Sequence, residues 1–225
     1  MRRIALENEY VDLRSNIAKM TSITSSMMMD VVKAMIYGDS KLAGEVVLRD
    51  DDVDTIDNNI DNICIKVIAL YEPKALDLRY IITVLRITVD IERIGDHCVN
   101  MANEIIKLNQ FPPLKPYIDL PIMGNHAEGM LKDAVNAFFN KDSDLAVEIL
   151  ERDQLLDNLY IQVTRELMTY ASDNLNAVKL IMSLNSIAKS LERIGDYTKN
   201  ISEQVYYMVT GKSIKHQNYK EADSE

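Results

Sequence analysis

The sequence predicts an all-α protein built as two tandem three-helix bundles that are related by an internal repeat. Long proline-free stretches are rich in Leu, Met, Ala, Glu, Lys and Arg, whose side chains lose little rotamer freedom in a helix. The usual strand signals, sustained polar–apolar alternation and Asn-Gly turns, are absent from the sequence. The pentapeptide Glu-Arg-Ile-Gly-Asp occurs at 92–96 and again at 192–196, which indicates a duplicated structural unit.

The repeat continues upstream of the pentapeptide at a slightly different shift. Eight residues recur 103 positions later: Asp39, Ser40, Leu42, Ala43, Glu45, Arg49, Asp50 and Asp54 match Asp142, Ser143, Leu145, Ala146, Glu148, Arg152, Asp153 and Asp157. The pentapeptide itself recurs after 100 positions, so the intervening loop differs by three residues between the two copies. We therefore expect both halves of the chain to fold in the same way.

Three helices are predicted in the first half of the chain, over 3–37, 40–70 and 74–109. The first ends at Gly38, because glycine tolerates the left-handed conformation that closes many helices. Asp39 or Ser40 then supplies a side-chain oxygen that caps the second helix. Pro73 ends the second helix, since the residue before a proline is disfavoured in the α region.

The second half repeats this plan, with helices predicted over 119–140, 142–171 and 175–210. A proline-rich extended connector at 111–116 separates the halves. Asp142-Ser143 is placed to cap the middle helix, Asp173 and Asn174 interrupt the chain after it, and Gly211 ends the last helix. The predicted domains are a first bundle at 1–110, a second bundle at 118–210 and a polar C-terminal tail at 211–225.

Charge and composition exclude several classes of protein. The chain has 25 basic and 35 acidic residues, a formal net charge of −10, which repels nucleic-acid phosphates. Glu7, Glu9 and Asp12 interrupt the apolar run that a signal peptide needs, and no run reaches the roughly 18 apolar residues of a membrane span. We expect a cytoplasmic protein that binds no nucleic acid and does not insert into a membrane. Cys64 and Cys98 are expected to be buried thiols rather than a disulfide framework.

The repeated pentapeptide carries the residues that we interpret as functional. Residues four apart lie on one face of a helix, so Glu92, Asp96 and Asn100 form a row. Because about eleven residues make three helical turns, Glu92 shares its side of the helix with the apolar Ile81. The acidic row therefore lies on or beside the packed stripe. A carboxylate there is costly to bury unless a cation or hydrogen bonds compensate for its charge.

A second pair of acids on the preceding helix extends this constellation. Asp50 and Asp54 are also four residues apart, and an antiparallel neighbour would bring them face to face with Glu92 and Asp96. Carboxylate oxygens suit Mg²⁺, Mn²⁺ or iron. The candidate metal ligands are Asp50, Asp54, Glu92, Asp96 and Asn100 in the first repeat and Asp153, Asp157, Glu192, Asp196 and Asn200 in the second.

Two other interpretations of the acids stay open at this point. Arg93 and Arg193 lie within the motif, next to its glutamate. Other arginines lie on the same helices, namely Arg49, Arg79, Arg86 and Arg152, so the acids would also be satisfied by ion pairs in a purely structural scaffold. A carboxylate-bridged metalloenzyme would need an open coordination position and usually His ligands. The sequence lacks the Glu-x-x-His motif of ferritin-like di-iron enzymes, which argues against that class.

The glycine in the middle of each motif needs its own explanation. A glycine inside a helix costs about 1 kcal/mol relative to alanine. Its presence as Gly95 and again as Gly195 indicates that a neighbouring backbone or an ion approaches closely, or that the helices pack tightly there.

These residues resemble the PhoU family of bacterial phosphate-signalling regulators, and the resemblance covers about 1–210. It is carried by the two pentapeptides, by Asp77-Leu78-Arg79 after Pro73, and by the connector Pro112-Pro113-Leu114-Lys115-Pro116. The second repeat departs from the pattern, because Ala177-Val178-Lys179 stands where the first has Asp77-Leu78-Arg79. Equivalent surface contacts in the two halves are therefore not implied.

The resemblance implies a PhoU-like six-helix fold in which E(D)-x-x-x-D motifs line multinuclear metal sites, one per bundle. Those motifs match the acidic pairs given above. We expect divalent or trivalent metal ions as cofactors, with iron first and Mn, Mg, Zn or Ni as alternatives.

The resemblance also implies a non-enzymatic adaptor. Such a protein restrains high-affinity phosphate uptake and helps to shut off the phosphate-starvation response when phosphate is plentiful. Its implied partners are the ATPase subunit of the phosphate ABC transporter and a phosphate sensor histidine kinase. These partners would hold the protein, expected to be a homodimer, at the cytoplasmic side of the inner membrane.

Overall fold

The structure, a computed structural model, describes residues 2–173 and 177–214. These residues form seven α-helices and no β-strand: α1 (Arg2–Tyr37), α2 (Ser40–Leu48), α3 (Asp50–Tyr71), α4 (Leu76–Leu108), α5 (Asp119–Asn140), α6 (Ser143–Asp173) and α7 (Val178–Thr210). The prediction of an all-α fold is confirmed.

The helix ends follow the local signals in the sequence. Gly38 and Gly211 take the left-handed conformation, with φ of 66° and 75°. The carboxylate of Asp39 accepts hydrogen bonds at 3.0 Å from the amides two and three residues on. Asp142 does the same in the second repeat, at 3.1 and 2.9 Å. Both capping predictions are confirmed.

The single helix predicted over 40–70 is wrong, because the chain breaks at Arg49 into α2 and α3. The Arg49 amide donates to the carbonyl of Val46 at 3.2 Å, three residues back instead of four, so the turn tightens there. Three consecutive aspartates at 50–52 then form the first turn of α3. Negative charge is stabilised at a helix N-terminus, which favours a new start at this point. The second repeat has Asp-Gln-Leu at 153–155, and α6 runs through without a break.

Other boundaries move by a few residues. α4 begins at Leu76 rather than 74, because Glu72 and Ala75 adopt positive φ on either side of Pro73. α6 extends to Asp173, beyond the predicted end at 171, and α7 begins at Val178 rather than 175. Residues 174–176 and 215–225 lie outside the described residues, so the predicted interruption at Asn174 and most of the predicted tail lie there too.

Helices α4 and α7 form the centre of the molecule and run antiparallel. Their contacts proceed in opposite directions along the two helices: Arg79 with the Met208 carbonyl, Arg86 with Gln204, and His97 with Tyr197. Helix α3 packs on α4, α6 packs on α7, and α5 contacts both α1 and α7. Buried apolar side chains from both halves form one continuous core.

Both cysteines lie in this core as free thiols, as predicted. Burial raises the pKa of Cys64 to about 12. In the described ranges, no helix combines the length and the apolar character that crossing a bilayer requires.

Candidate functional site

The structure brings together the acids that the sequence singles out on α3 and α4. The two helices run antiparallel, so that Asp50 lies beside Asp96 and Glu92 lies near both Asp54 and Asp57. Asp57 is one turn beyond Asp54 and was not predicted from the sequence. Together, Asp50, Asp54, Asp57, Glu92 and Asp96 form the first cluster.

Carboxylates in the first cluster destabilise each other's charged forms. Burial, followed by the charges of Asp54 and Asp96, raises the pKa of Asp50 to about 6. Burial and the charge of Asp96 likewise raise the pKa of Glu92 above its usual value. The pKa of Asp57 is raised by burial and by neighbouring aspartates, and its Oδ1 is buried with no hydrogen-bond partner among the described residues.

Little positive charge offsets this repulsion. Among the described residues, the cation paired with the first cluster is Arg93, whose guanidinium lies 3.5 Å from Glu92 and 3.3 Å from Asp96. The Arg93 side chain is 54% exposed, so water screens the pair. Arg49, which the scaffold interpretation offered as a partner, instead binds Asp30 of α1 at 2.8 Å.

The corresponding acids of α6 and α7 also meet. Asp153 is 3% exposed, and the negative charges of Asp157 and Asp196 interact unfavourably with its carboxylate. Asp153, Asp157 and Asp196, together with Glu192 one turn before Asp196 on α7, form the second cluster. Burial raises the pKa of Asp153, although the neighbouring Lys199 acts in the opposite direction.

The second cluster differs from the first in its cations. Lys189 Nζ lies 2.7 Å from both carboxylate oxygens of Glu192. Lys199 Nζ lies 3.2 Å from Asp153 Oδ2, and Arg193 lies 3.0 Å from Asp196. Neither lysine was predicted as part of the site, although Lys189 stands three residues before Glu192, a spacing that places both on one helix face.

The glycine of each motif lies against the helix that carries the aspartates. A Cβ added to Gly195 would lie 2.6 Å from Leu156 Cδ1 and 2.8 Å from Asp153 Oδ1. At Gly95 the nearest atom, Asp50 Oδ1, would be 3.4 Å away. Tight packing of side chains from the neighbouring helix therefore accounts for Gly195, whereas the contact at Gly95 is an ordinary van der Waals distance.

The two asparagines stand apart from this arrangement. Asn100 is exposed and lines a groove between α4 and α7 together with His97 and Lys189. Asn200 is half-buried.

The two clusters fit a metal ion unequally. In the residues that the structure describes, no three acidic, His or Cys side chains are arranged closely enough to hold a metal ion as they stand. The first cluster nevertheless suits a cation, because its carboxylates, of which Asp54 is exposed and the other four are half-buried, repel one another and have one exposed guanidinium for compensation. In the second cluster, two ammonium groups already supply positive charge. The metal sites remain a prediction.

Comparison with known proteins decides the family. The family model described as the PhoU domain matches this chain twice, at residues 17–105 and 120–205. The chain belongs to the PhoU family. The two matches coincide with the two repeats and confirm the resemblance seen in the sequence.

PhoU relatives match over almost the whole chain. A phosphate-specific transport system accessory protein PhoU homolog from Aquifex aeolicus is 36% identical over 216 residues, which cover 96% of this chain and 98% of the relative. A homolog of the same name from Pseudomonas putida is 34% identical over 218 residues, covering 96% of this chain and 85% of that protein.

Solved PhoU structures share the fold. The crystal structure of PhoU from Pseudomonas aeruginosa superposes with a TM-score of 0.88 at 34% identity, covering 92% of this chain and 99% of that chain. The phosphate transport system regulatory protein PhoU from Streptococcus pneumoniae gives a TM-score of 0.85 at 23% identity, over 95% of this chain and 99% of that chain. The second likeness supports the fold alone.

Proposed function

We propose that this chain is a metal-binding adaptor that negatively regulates high-affinity phosphate uptake and phosphate-starvation two-component signalling. The observation that carries this proposal is the double match to the PhoU domain, at residues 17–105 and 120–205. Relatives that align over nearly their full length are named accessory proteins of the phosphate-specific transport system, which supports a regulatory rather than a catalytic role.

The proposed partners are the ATPase subunit of the phosphate transporter and a phosphate sensor histidine kinase. Through them, the protein works at the cytoplasmic face of the inner membrane, as a homodimer. Its formal net charge of −10 favours basic surfaces on such partners. Co-purification of a tagged chain with the ATPase subunit from phosphate-rich cells tests this part directly.

The metal-binding part of the proposal is supported by the first cluster. Asp50, Asp54, Asp57, Glu92 and Asp96 would hold the ion, with iron as the first expectation and Mn, Mg, Zn or Ni as alternatives. Burial, followed by repulsion from neighbouring carboxylates, raises the pKa of Asp50, and a bound cation would compensate the charge of the ionised group. Because the ligands come from α3 and α4, a bound metal ion would also stabilise the packing of these two helices.

The regulatory part is tested by deleting the gene in its host and measuring a phosphate-starvation promoter in phosphate-rich medium. We expect the promoter to become active in the deletion strain and to be silenced again by the wild-type gene supplied in trans. Growth without phosphate is the control, because the promoter should then be active with or without the gene. Promoter activity that stays low in the deletion strain in rich phosphate would rule out the regulatory role.

A structural scaffold is the second candidate function, and the second cluster favours it. Ion pairs from Lys189, Lys199 and Arg193 satisfy acids there without a metal. A ligand that binds only the folded state must raise the melting temperature. A chelator-treated protein whose melting temperature does not change on adding Mn²⁺ or Fe²⁺ would support the scaffold.

A further inference from the structure

Two positions in the motif helices carry different charges in the two repeats. At the shift of 100 that aligns the motifs, Val89 and Val99 of α4 correspond to Lys189 and Lys199 of α7. Valine contributes no charge, whereas each lysine brings an ammonium group to the second cluster. The acids of the motif are identical in the two repeats, so the difference lies in the residues around them.

Lys189 is held on two sides. Its ammonium lies 2.7 Å from each oxygen of Glu192, an arrangement that engages the whole carboxylate. The same ammonium lies 5.0 Å from the centre of the Tyr160 ring on α6, within the range of a cation–π interaction. At the shift of 103 that aligns the preceding helices, Tyr160 corresponds to Asp57. The second repeat therefore has an aromatic ring for the lysine where the first has another carboxylate.

Lys199 reaches the buried end of the second cluster. Its ammonium lies 3.2 Å from Oδ2 of Asp153, whose side chain is 4% exposed. Oδ1 of the same carboxylate has no hydrogen-bond partner among the described residues. The negative charge of Asp153 is therefore compensated by Lys199, through Oδ2. In the first repeat, the corresponding Asp50 faces Asp54 and Asp96, and position 99 is a valine.

The resulting balance of charge is unequal. In the first cluster, five carboxylates have one paired guanidinium among the described residues, from Arg93. In the second, four carboxylates have one guanidinium and two ammonium groups, from Arg193, Lys189 and Lys199. A metal ion approaching the second cluster would meet the like charge of these two ammonium groups at close range, and like charges repel.

We propose that Lys189 and Lys199 are built-in counter-cations of the second cluster, so that a divalent metal ion binds at the first cluster in preference to the second. The two PhoU repeats of this chain are then different in kind: the first binds a metal ion, and the second is neutralised by its own side chains. The inference rests on the metal-binding part of the proposed function. It makes the two lysines specificity-determining residues.

The test is a titration of chelator-stripped protein with Mn²⁺, in which electron paramagnetic resonance measures the concentration of unbound Mn²⁺. We expect wild-type binding to be lost in Asp50→Asn and to be unchanged in Asp157→Asn. The double variant Lys189→Met, Lys199→Met should bind additional Mn²⁺, and that gain should disappear when Asp157→Asn is added. The reciprocal variant Val89→Lys, Val99→Lys should bind Mn²⁺ at least tenfold more weakly than wild type.

The matched control is Lys107→Met, which removes an ammonium group 2.7 Å from Glu104 at the same spacing of three residues but away from both clusters. It should bind Mn²⁺ as wild type does. Circular dichroism establishes that each variant is folded, and single substitutions of Lys189 or Lys199 replace the double variant if it is not.

Three results would overturn the inference. They are wild-type binding that is equally sensitive to Asp50→Asn and Asp157→Asn, no gain in the folded lysine variants, and no Mn²⁺ binding to any of these proteins. The promoter assay for the proposed regulation measures gene expression and not Mn²⁺ binding, so failure of the two proposals can be told apart.

Discussion

The glycine of the repeated motif packs against aspartate-bearing helices in both repeats, but at different distances. At Gly195, an added methyl group would meet Leu156 and Asp153 at 2.6 and 2.8 Å. Both side chains are buried, and Asp153 is held by Lys199, so neither can move away freely. At Gly95, the closest contact would be 3.4 Å, which a small shift can relieve.

We therefore expect Gly195→Ala to lower the free energy of unfolding by about 1–3 kcal/mol, the usual cost of overpacking. The higher helix propensity of alanine offsets part of this loss. Gly95→Ala is the matched control. It should be neutral or stabilising, by up to about 1 kcal/mol, because alanine favours the helix. Urea denaturation of both variants measures the difference. Equal or greater stability of Gly195→Ala relative to Gly95→Ala would show that the close contacts do not matter.

Asp50 links stability to pH in the metal-free protein. Its pKa is about 6 in the folded state, against an ordinary value of 3.8, so the folded protein holds this proton to a higher pH than the unfolded chain does. Stability therefore falls as pH rises from about 4 to about 6, and the ionised group destabilises the folded protein above that window. We expect Asp50→Asn to be more stable than wild type at about pH 7.5 and to lose this advantage by about pH 4.

Unfolding by urea in the presence of chelator, at a series of pH values, measures this effect. Asp52→Asn, an exposed position in the same helical turn, is the control and should show a much smaller difference. A stability advantage of Asp50→Asn that is constant across the pH range would contradict the raised pKa.

At the scale of the helices, local signals set the ends and non-local packing sets the arrangement. Gly38 and Asp39 were predicted to end α1 and cap α2, because both signals lie within a few residues of the boundary. The break at Arg49 was missed, although the three aspartates that follow it were a readable signal for a helix start. The antiparallel packing of α4 on α7 joins residues up to 129 positions apart, for which the sequence offers no local signal.

At the candidate site, repeated residues were predictable from the sequence and residues that differ between the repeats were not. The acids of the two clusters were predicted because they recur in both repeats at a spacing of four residues. Lys189 and Lys199 were not predicted, because they carry no repeat signal: valines occupy these positions in the first repeat. Their contacts with α6 depend on how the helices pack.

Removing the cap at Asp39 should weaken the start of α2. Asp39→Ala leaves two helical amides without their partner and should lower the free energy of unfolding by about 1 kcal/mol. Asp142→Ala should cost a similar amount at the start of α6. The control, Asp39→Asn, keeps a capping oxygen and should change stability little. A loss in Asp39→Asn as large as in Asp39→Ala would show that charge rather than capping is responsible.

At the scale of the whole molecule, α4 and α7 relate the two repeats by approximate two-fold symmetry. His97 and Tyr197 occupy equivalent positions in the repeats, and their ring centres lie 5.7 Å apart. Equivalent residues of two antiparallel helices meet in this way only close to a two-fold axis. The same helices contribute to one continuous apolar core, so neither repeat buries its apolar residues alone.

We therefore expect the chain to unfold in one cooperative transition rather than repeat by repeat. The protein has 11 tyrosines and no tryptophan, so tyrosine fluorescence and far-ultraviolet circular dichroism report on tertiary and helical structure respectively. Their urea transitions should coincide. Two separate transitions would show that the repeats are independently stable.

The measurement that bears most directly on the proposed role of the acids is the metal content of the full chain after Mn²⁺ loading and removal of excess ion. We expect the double variant Glu92→Ala, Asp96→Ala to lose the bound metal that the wild type holds. The equivalent variant Glu192→Ala, Asp196→Ala, at the lysine-neutralised cluster, should retain it. Full retention of metal by a folded Glu92→Ala, Asp96→Ala protein would contradict a metal site between α3 and α4.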